Sequence, residues 1–218
     1  MDYATWRDVF AAAGLLSRAF AYPDAELAGE LSSGSFLESA LQTGLDGNGL
    51  REYAGKDPQA ILEGLRVEAS RLFHSMPTAR ISPYGGVWHS NDRGAKPMLG
   101  AGAESRSVES FCGMCGLSHP AGTNEPLDHI STELELLQYL AGIAAGEIEE
   151  PDMDLPGGSA QAAFGEFASR HLGFWAPRFC DAVEDEAEEP FYLWASENLK
   201  LFLEALLPYC DCKSGEMG

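Results

Sequence analysis

The sequence predicts an all-α fold: a single globular helical domain with a long central hinge loop. Apolar residues recur at spacings of three and four in several separate segments. No run alternates apolar and polar with the period of a strand, and no βαβ spacing or internal repeat is present. Proline and glycine fall where helices of ordinary length would end. At 218 residues, 45% of them hydrophobic, the chain can enclose one sizeable core.

In chain order, Trp6, Val9, Phe10, Ala13, Leu16 and Phe20 mark one helix face, and Tyr22-Pro23 stops it. Short helical pieces follow to Leu31 and from Phe36 to about Leu45. Asp57-Pro58 supplies an N-cap acid and a first-turn proline for a helix carrying Ile61, Leu65, Ala69, Leu72 and Phe73, ending near Met76-Pro77. Residues 77–105 lose all periodicity and read as the hinge, with a second hinge segment at about 118–127. Ser105 or Ser107 starts a helix through Phe111 toward Leu117. The clearest helix runs from Asp128 to about Ala145, where Leu127, Ile130, Leu134, Leu137, Ala141 and Ala144 form one stripe. Ser159 begins another through Phe164, Phe167, His171 and Trp175. Pro177 and Pro190 read as first-turn prolines of two further helices, the last carrying Phe191, Trp194, Leu199, Phe202 and Leu206.

Charge narrows the classes of partner. Lys and Arg number 14 against 34 Asp and Glu, a formal charge of −20, which repels nucleic acid and anionic lipid and attracts basic partners. No apolar run approaches the ~18 residues that span a bilayer, so neither membrane insertion nor nucleic-acid binding is expected. Arg7, Asp8 and Arg18 interrupt the first apolar stretch and no two arginines are adjacent, so no export leader is expected and the expected compartment is the cytoplasm. Five cysteines, an odd number, argue against a secreted disulfide framework.

Signatures of catalysis are absent: no phosphate-cradling Gly-rich loop, no Gly-x-Ser-x-Gly elbow, no His-Glu-x-x-His pair. Gly100-Ala-Gly102 is too short to cradle a phosphate. Cys112 and Cys115, with His119 and the Cys210/Cys212 pair, have ligand-like spacing, so a metal- or nucleotide-dependent helical enzyme, or a redox protein, is the alternative reading. Against it, cysteines three apart on a helix share a face and pack as small apolar groups. No metal and no cofactor are expected.

Two groups of motifs suggest a binding protein. Asn124-Glu125-Pro126-Leu127-Asp128-His129 places two acids, a proline and a histidine in a turn before the cleanest helix. Ser82-Pro83-Tyr84-Gly85-Gly86-Val87-Trp88 precedes it, and His171-Leu172 through Trp175, Phe179 and Phe191-Tyr192 follow. In that order, with Phe20-Ala21-Tyr22-Pro23-Asp24 upstream, they resemble the TorD/DmsD family of chaperones. One departure is Ala69, where the family carries an aromatic residue before Leu72-Phe73, and the Cys112/Cys115 pair lies outside the family pattern.

The resemblance implies a cytoplasmic helical chaperone that is not an enzyme. It would bind the twin-arginine leader and the apo form of a molybdenum-cofactor oxidoreductase catalytic subunit before export, as a monomer or a domain-swapped dimer. Some relatives would bind guanine nucleotide near the hinge. Recognising two guanidinium groups followed by an apolar segment requires carboxylates beside an aromatic groove. The candidate peptide-binding residues are therefore Glu125 and Asp128 for charge, His129 and Pro126 beside them, and Tyr22, Tyr84 and Trp88 for flat apolar surface. Asp128 reads equally well as the N-cap of the next helix, and His129 as a satisfied first-turn side chain. His171, Trp175, Phe191 and Tyr192 read as core.

Overall fold

A computed structural model describes residues 3, 5–74, 79–92, 102–118 and 126–210. Among them the regular structure is helical: α1 (Trp6–Phe20), α2 (Ala25–Ser33), α3 (Ser35–Gln42), α4 (Pro58–Phe73), α5 (Gly85–Asp92), α6 (Ala103–Met114), α7 (Ile130–Ala145), α8 (Ala160–Phe167), α9 (Gly173–Glu186) and α10 (Pro190–Cys210). The described residues contain no strand, only an isolated antiparallel bridge between Tyr84 and His129.

Local chemistry starts these helices where the sequence places them. Thr5 and Asp8 form a reciprocal capping box on α1. Asp24 accepts from the Leu27 amide at 2.8 Å, Asp57 caps α4 ahead of Pro58, and the Ser159 hydroxyl accepts from Ala162. The α7 helix lies along α1 as the central pair; α9 packs on α10, and α2 on α4. Nearly every apolar position of α7 is buried, which is why its stripe is so wide. At the centre the rings of Phe20, Phe73 and Phe179 meet, with Phe73 stacked on Phe179 at 5.8 Å and 26°. Burying each such side chain stabilises the fold by about 1.5–3 kcal/mol.

Two expectations are corrected. The aperiodic segment 77–105 contains α5, an eight-residue helix beginning at Gly85-Gly86. Its apolar residues show no face because they are held from two sides: Trp88 packs on Trp175, while His89 stacks on Phe174 at 4.3 Å. Pro177 does not open a helix but lies inside α9. It follows a π-turn, Ala168–Leu172, that widens the helix between α8 and α9 one turn before the proline, so the run from Ser159 continues to Glu186. The turn requires glycine at 173: its amide donates to the Ala168 carbonyl, and a Cβ there would stand 2.5 Å from that oxygen. A proline seen in sequence gives no sign of a wider turn behind it. The hinge positions around 77, 94–100 and 119–125 lie outside the described residues.

Candidate functional site

The bridge between residues 83–85 and 128–130 organises the site. Gly85 donates to the Asp128 carbonyl and Ile130 to the Pro83 carbonyl, both at 2.8 Å. Extended backbone sends successive side chains to opposite faces, so Asp128 and His129 have opposite fates.

Asp128 points inward and is 1% exposed. Its Oδ2 accepts the Gly86 amide and the Ser105 hydroxyl, each at 2.8 Å, while Oδ1 is buried with no hydrogen-bond partner among the described residues. The carboxylate thus pins the first turns of α5 and α6 to the segment entering α7. Gly86 is part of the joint, since a Cβ there would lie 2.8 Å from both oxygens. Asp128 is therefore not the N-cap of α7. That role belongs to His129, whose Nδ1 accepts from the Ser131 amide at 3.2 Å. The bridge turns the aspartate away from the helix end and leaves the imidazole there.

His129 points outward, edge-on to Tyr84 at 5.1 Å and 77°. Burial, assisted by His74 nearby, lowers its pKa to about 4, so the ring is neutral at physiological pH. These two rings form part of the wall of a groove of about 540 Å³ between the ends of α1 and α4 and the exposed flank of α7. Phe20, Phe73, Leu117, Leu127 and Leu136 give it apolar walls, and Tyr22 and His74 stand at its rim with rings 5.8 Å apart. Tyr22 is 55% exposed, and the Arg66 guanidinium sits over its ring at 5.5 Å.

Of the sequence-named residues the structure brings Tyr22, Tyr84, Pro126 and His129 to this groove. It does not bring Trp88 there. The Trp88 ring stacks on Trp175 at 6.5 Å, its Nε1 donates to the Ser82 carbonyl at 2.9 Å, and the Arg178 guanidinium lies 5.9 Å over its face. Asp128 lies behind the wall, and Glu125 lies outside the described residues. Ala69 lines the groove, so the missing aromatic ring leaves open space at that point.

Sequence reasoning missed Glu135, Ser131, Thr132 and Tyr139, the polar flank of α7 that faces the groove. The signal was present: on a helix otherwise buried all round, 131, 135 and 139 recur at i, i+4, i+8. Crowding against the wall raises the Glu135 pKa, and a hydrogen bond with Ser17 opposes the shift.

Behind the groove lies a buried acid. Glu133 is 1% exposed, and both its oxygens lie 3.3 Å from Trp175 Nε1. Burial pushes its pKa well above the carboxylate range; the Trp175 hydrogen bond opposes this, while the charges of Asp128 and Glu104 add to it. The unfolded chain releases this proton near the ordinary value of 4.5, so the contribution of Glu133 to stability falls as pH rises above that value. Glu133→Gln keeps an acceptor for Trp175 and removes the titration. We expect its melting temperature to exceed that of wild type at pH 8 and to converge with it near pH 4, each unit of pKa shift being worth about 1.4 kcal/mol. A melting temperature below that of wild type at pH 8 would contradict this account.

Cys112 and Cys115 sit at the end of α6 as buried free thiols, Cys112 against the groove. Burial pushes them up to about 12 and about 11, which leaves them protonated and poorly nucleophilic. Among the described residues no three His, Cys, Asp or Glu side chains converge as metal ligands. His119, Cys212 and the side chain of Cys210 lie outside them. No described helix is long and apolar enough to cross a membrane.

Comparison with known proteins agrees with this architecture. The family model for the nitrate reductase delta subunit matches residues 38–181. The chaperone protein TorD of Aliivibrio salmonicida is 32% identical over 88 residues, 40% of this chain and 39% of that protein. The chaperone protein TorD of Vibrio cholerae is 32% identical over 99 residues, 45% of this chain and 40% of that protein. The matched region thus spans about two fifths of the length of each relative. A crystal structure from Archaeoglobus fulgidus, described as a redox enzyme maturation protein, superposes with a TM-score of 0.54 over 90% of this chain and 93% of that one, at 24% identity, a likeness of fold. With the family model covering well over half of its length, the chain belongs to the TorD/DmsD family, which the nitrate reductase delta subunit model describes.

Proposed function

We propose that the chain is a chaperone that binds the twin-arginine leader of a molybdenum-cofactor oxidoreductase in the groove beside α7, in the cytoplasm, and so holds the client while its cofactor is loaded. The observation that carries this reading is the groove itself: an open apolar trough with aromatic rings at its mouth, on a protein of formal charge −20. An apolar segment transfers favourably from water into such a trough, and the surrounding negative field draws a basic peptide toward it. The TorD relatives, chaperones by name, support the same reading. Among the described lining residues, the imidazole at 129, with its pKa lowered to about 4, is a weak base, and the Cys112 thiol is held protonated. The chain acts by binding, with no catalytic step and no resident cofactor.

Calorimetric titration with a synthetic peptide, two adjacent arginines followed by an apolar run, tests the proposal. Wild type is expected to bind it, and a peptide with the apolar run replaced by serines is expected to fail. Tyr84→Ala, which removes a ring at the mouth but leaves the backbone bridge, should weaken binding on the order of tenfold, the scale of an interface aromatic. Equal affinity of wild type for the apolar and serine peptides would remove the groove from the account.

A further inference from the structure

Resting on that reading, we infer that Glu135 is the residue that takes the leader's guanidinium groups. It is the acid among the residues lining the groove, where the other titratable side chains with basic nitrogens, His74 and His129, offer no carboxylate. The two acids that the sequence motif offers do not compete within the described structure: Asp128 is buried and committed to Gly86 and Ser105, and Glu125 lies outside it. Glu135 has no ion-pair partner among the described residues. Arg18, the nearby cation, is instead held by Glu30 at 2.7 Å.

Position strengthens the assignment. Glu135 also lines a second recess of about 410 Å³, so its carboxylate borders both cavities. Ser39, Gln42, Thr43 and Gln138 line that recess and supply hydroxyl and amide oxygens that accept N–H groups, beside Arg18, whose charge is paired with Glu30 at 2.7 Å. A guanidinium beside Glu135 finds a carboxylate matched to its fork, and an adjacent arginine finds the amide and hydroxyl acceptors of the recess, with Arg18 already paired to Glu30. The apolar run that follows then lies back along Leu136, Phe73 and Phe20. The groove thereby acquires a polarity, with arginines at the Glu135 end and the apolar segment toward α4 and α6. The recognised ligand is a peptide carrying adjacent guanidinium groups immediately before an apolar run.

The test is a double-mutant cycle by calorimetry. Glu135→Gln keeps the size of the side chain and an acceptor for Ser17, so its melting temperature should stay close to that of wild type. Against the arginine peptide it should lose about tenfold or more in affinity, and the remaining binding should depend less on salt. Against the same peptide with both arginines replaced by glutamine, wild type and Glu135→Gln should bind alike, and Glu135→Asp should recover part of the loss. Wild-type affinity of Glu135→Gln for the arginine peptide would overturn the inference. If wild type binds the arginine and glutamine peptides equally, the inference falls while the groove as an apolar binding site stands. If wild type binds neither, the functional reading falls and takes the inference with it.

Discussion

Trp175→Ala is expected to destabilise the protein by about 3–5 kcal/mol, as truncation of a fully buried indole does. The residue is 0% exposed, stacks on Trp88 from α5 and meets Phe179 edge-on at 5.6 Å. Its loss also removes the N–H that faces both oxygens of Glu133. A buried acid deprived of its donor adds to the cavity's cost. Chemical denaturation at pH 7 measures this. A loss under about 1 kcal/mol, the scale of an ordinary surface change, would mean that the α5–α9 contact is not part of the stable core.

The second large effect concerns the carboxylate that the sequence motif made most conspicuous. Asp128→Ala leaves the Gly86 amide and the Ser105 hydroxyl without their acceptor in a buried joint. Hydrogen bonds to a charged group contribute about 1.5–3 kcal/mol each, and an unsatisfied buried donor costs a comparable amount, so a loss of about 2–4 kcal/mol is expected. Asp128→Asn keeps one carbonyl oxygen and should fall between the two. Because this joint ties α5 and α6 to the entrance of α7, leader affinity should fall together with stability in both variants. If Asp128→Asn kept the wild-type melting temperature and lost only affinity, the carboxylate would be a direct contact and the joint would be held by something else.

How far these features were legible in the sequence depends on the physics behind each. Helices with an amphipathic face or a local start or stop signal, such as α1 before Tyr22-Pro23 and α4 after Asp57-Pro58, were readable because their cause is local. The core roles of His171, Trp175, Phe191 and Tyr192 were readable for the same reason, and all four are buried. The α5 helix was not, because its side chains are held by α9 and its first turn by Asp128, partners far along the chain. The uninterrupted run through Pro177 was hidden because the π-turn that precedes it is a property of three-dimensional register. Of the residues named in sequence, Tyr22, Tyr84, Pro126 and His129 line the groove, while the N-cap role offered to Asp128 belongs to His129 and Asp128 lies buried behind the wall. A one-residue bridge decides which of two neighbours faces the groove, and no composition or spacing records that bridge. Glu135 was overlooked because an acid on a largely apolar helix reads as a solvated position until the groove beside it is seen.

The central claim is that the groove flanked by α1, α4 and α7 receives the leader, and hydrogen exchange of the chain with and without the arginine peptide tests it most directly. The account predicts slower exchange at residues 84–85 and 127–132, where the bridge and the first turn of α7 border the groove, and across residues 17–22 at the end of α1. It predicts no change along the acidic stretch 184–189, whose charge attracts the peptide without holding it. Protection confined to residues 184–189, with the groove segments exchanging as in the free protein, would contradict the account.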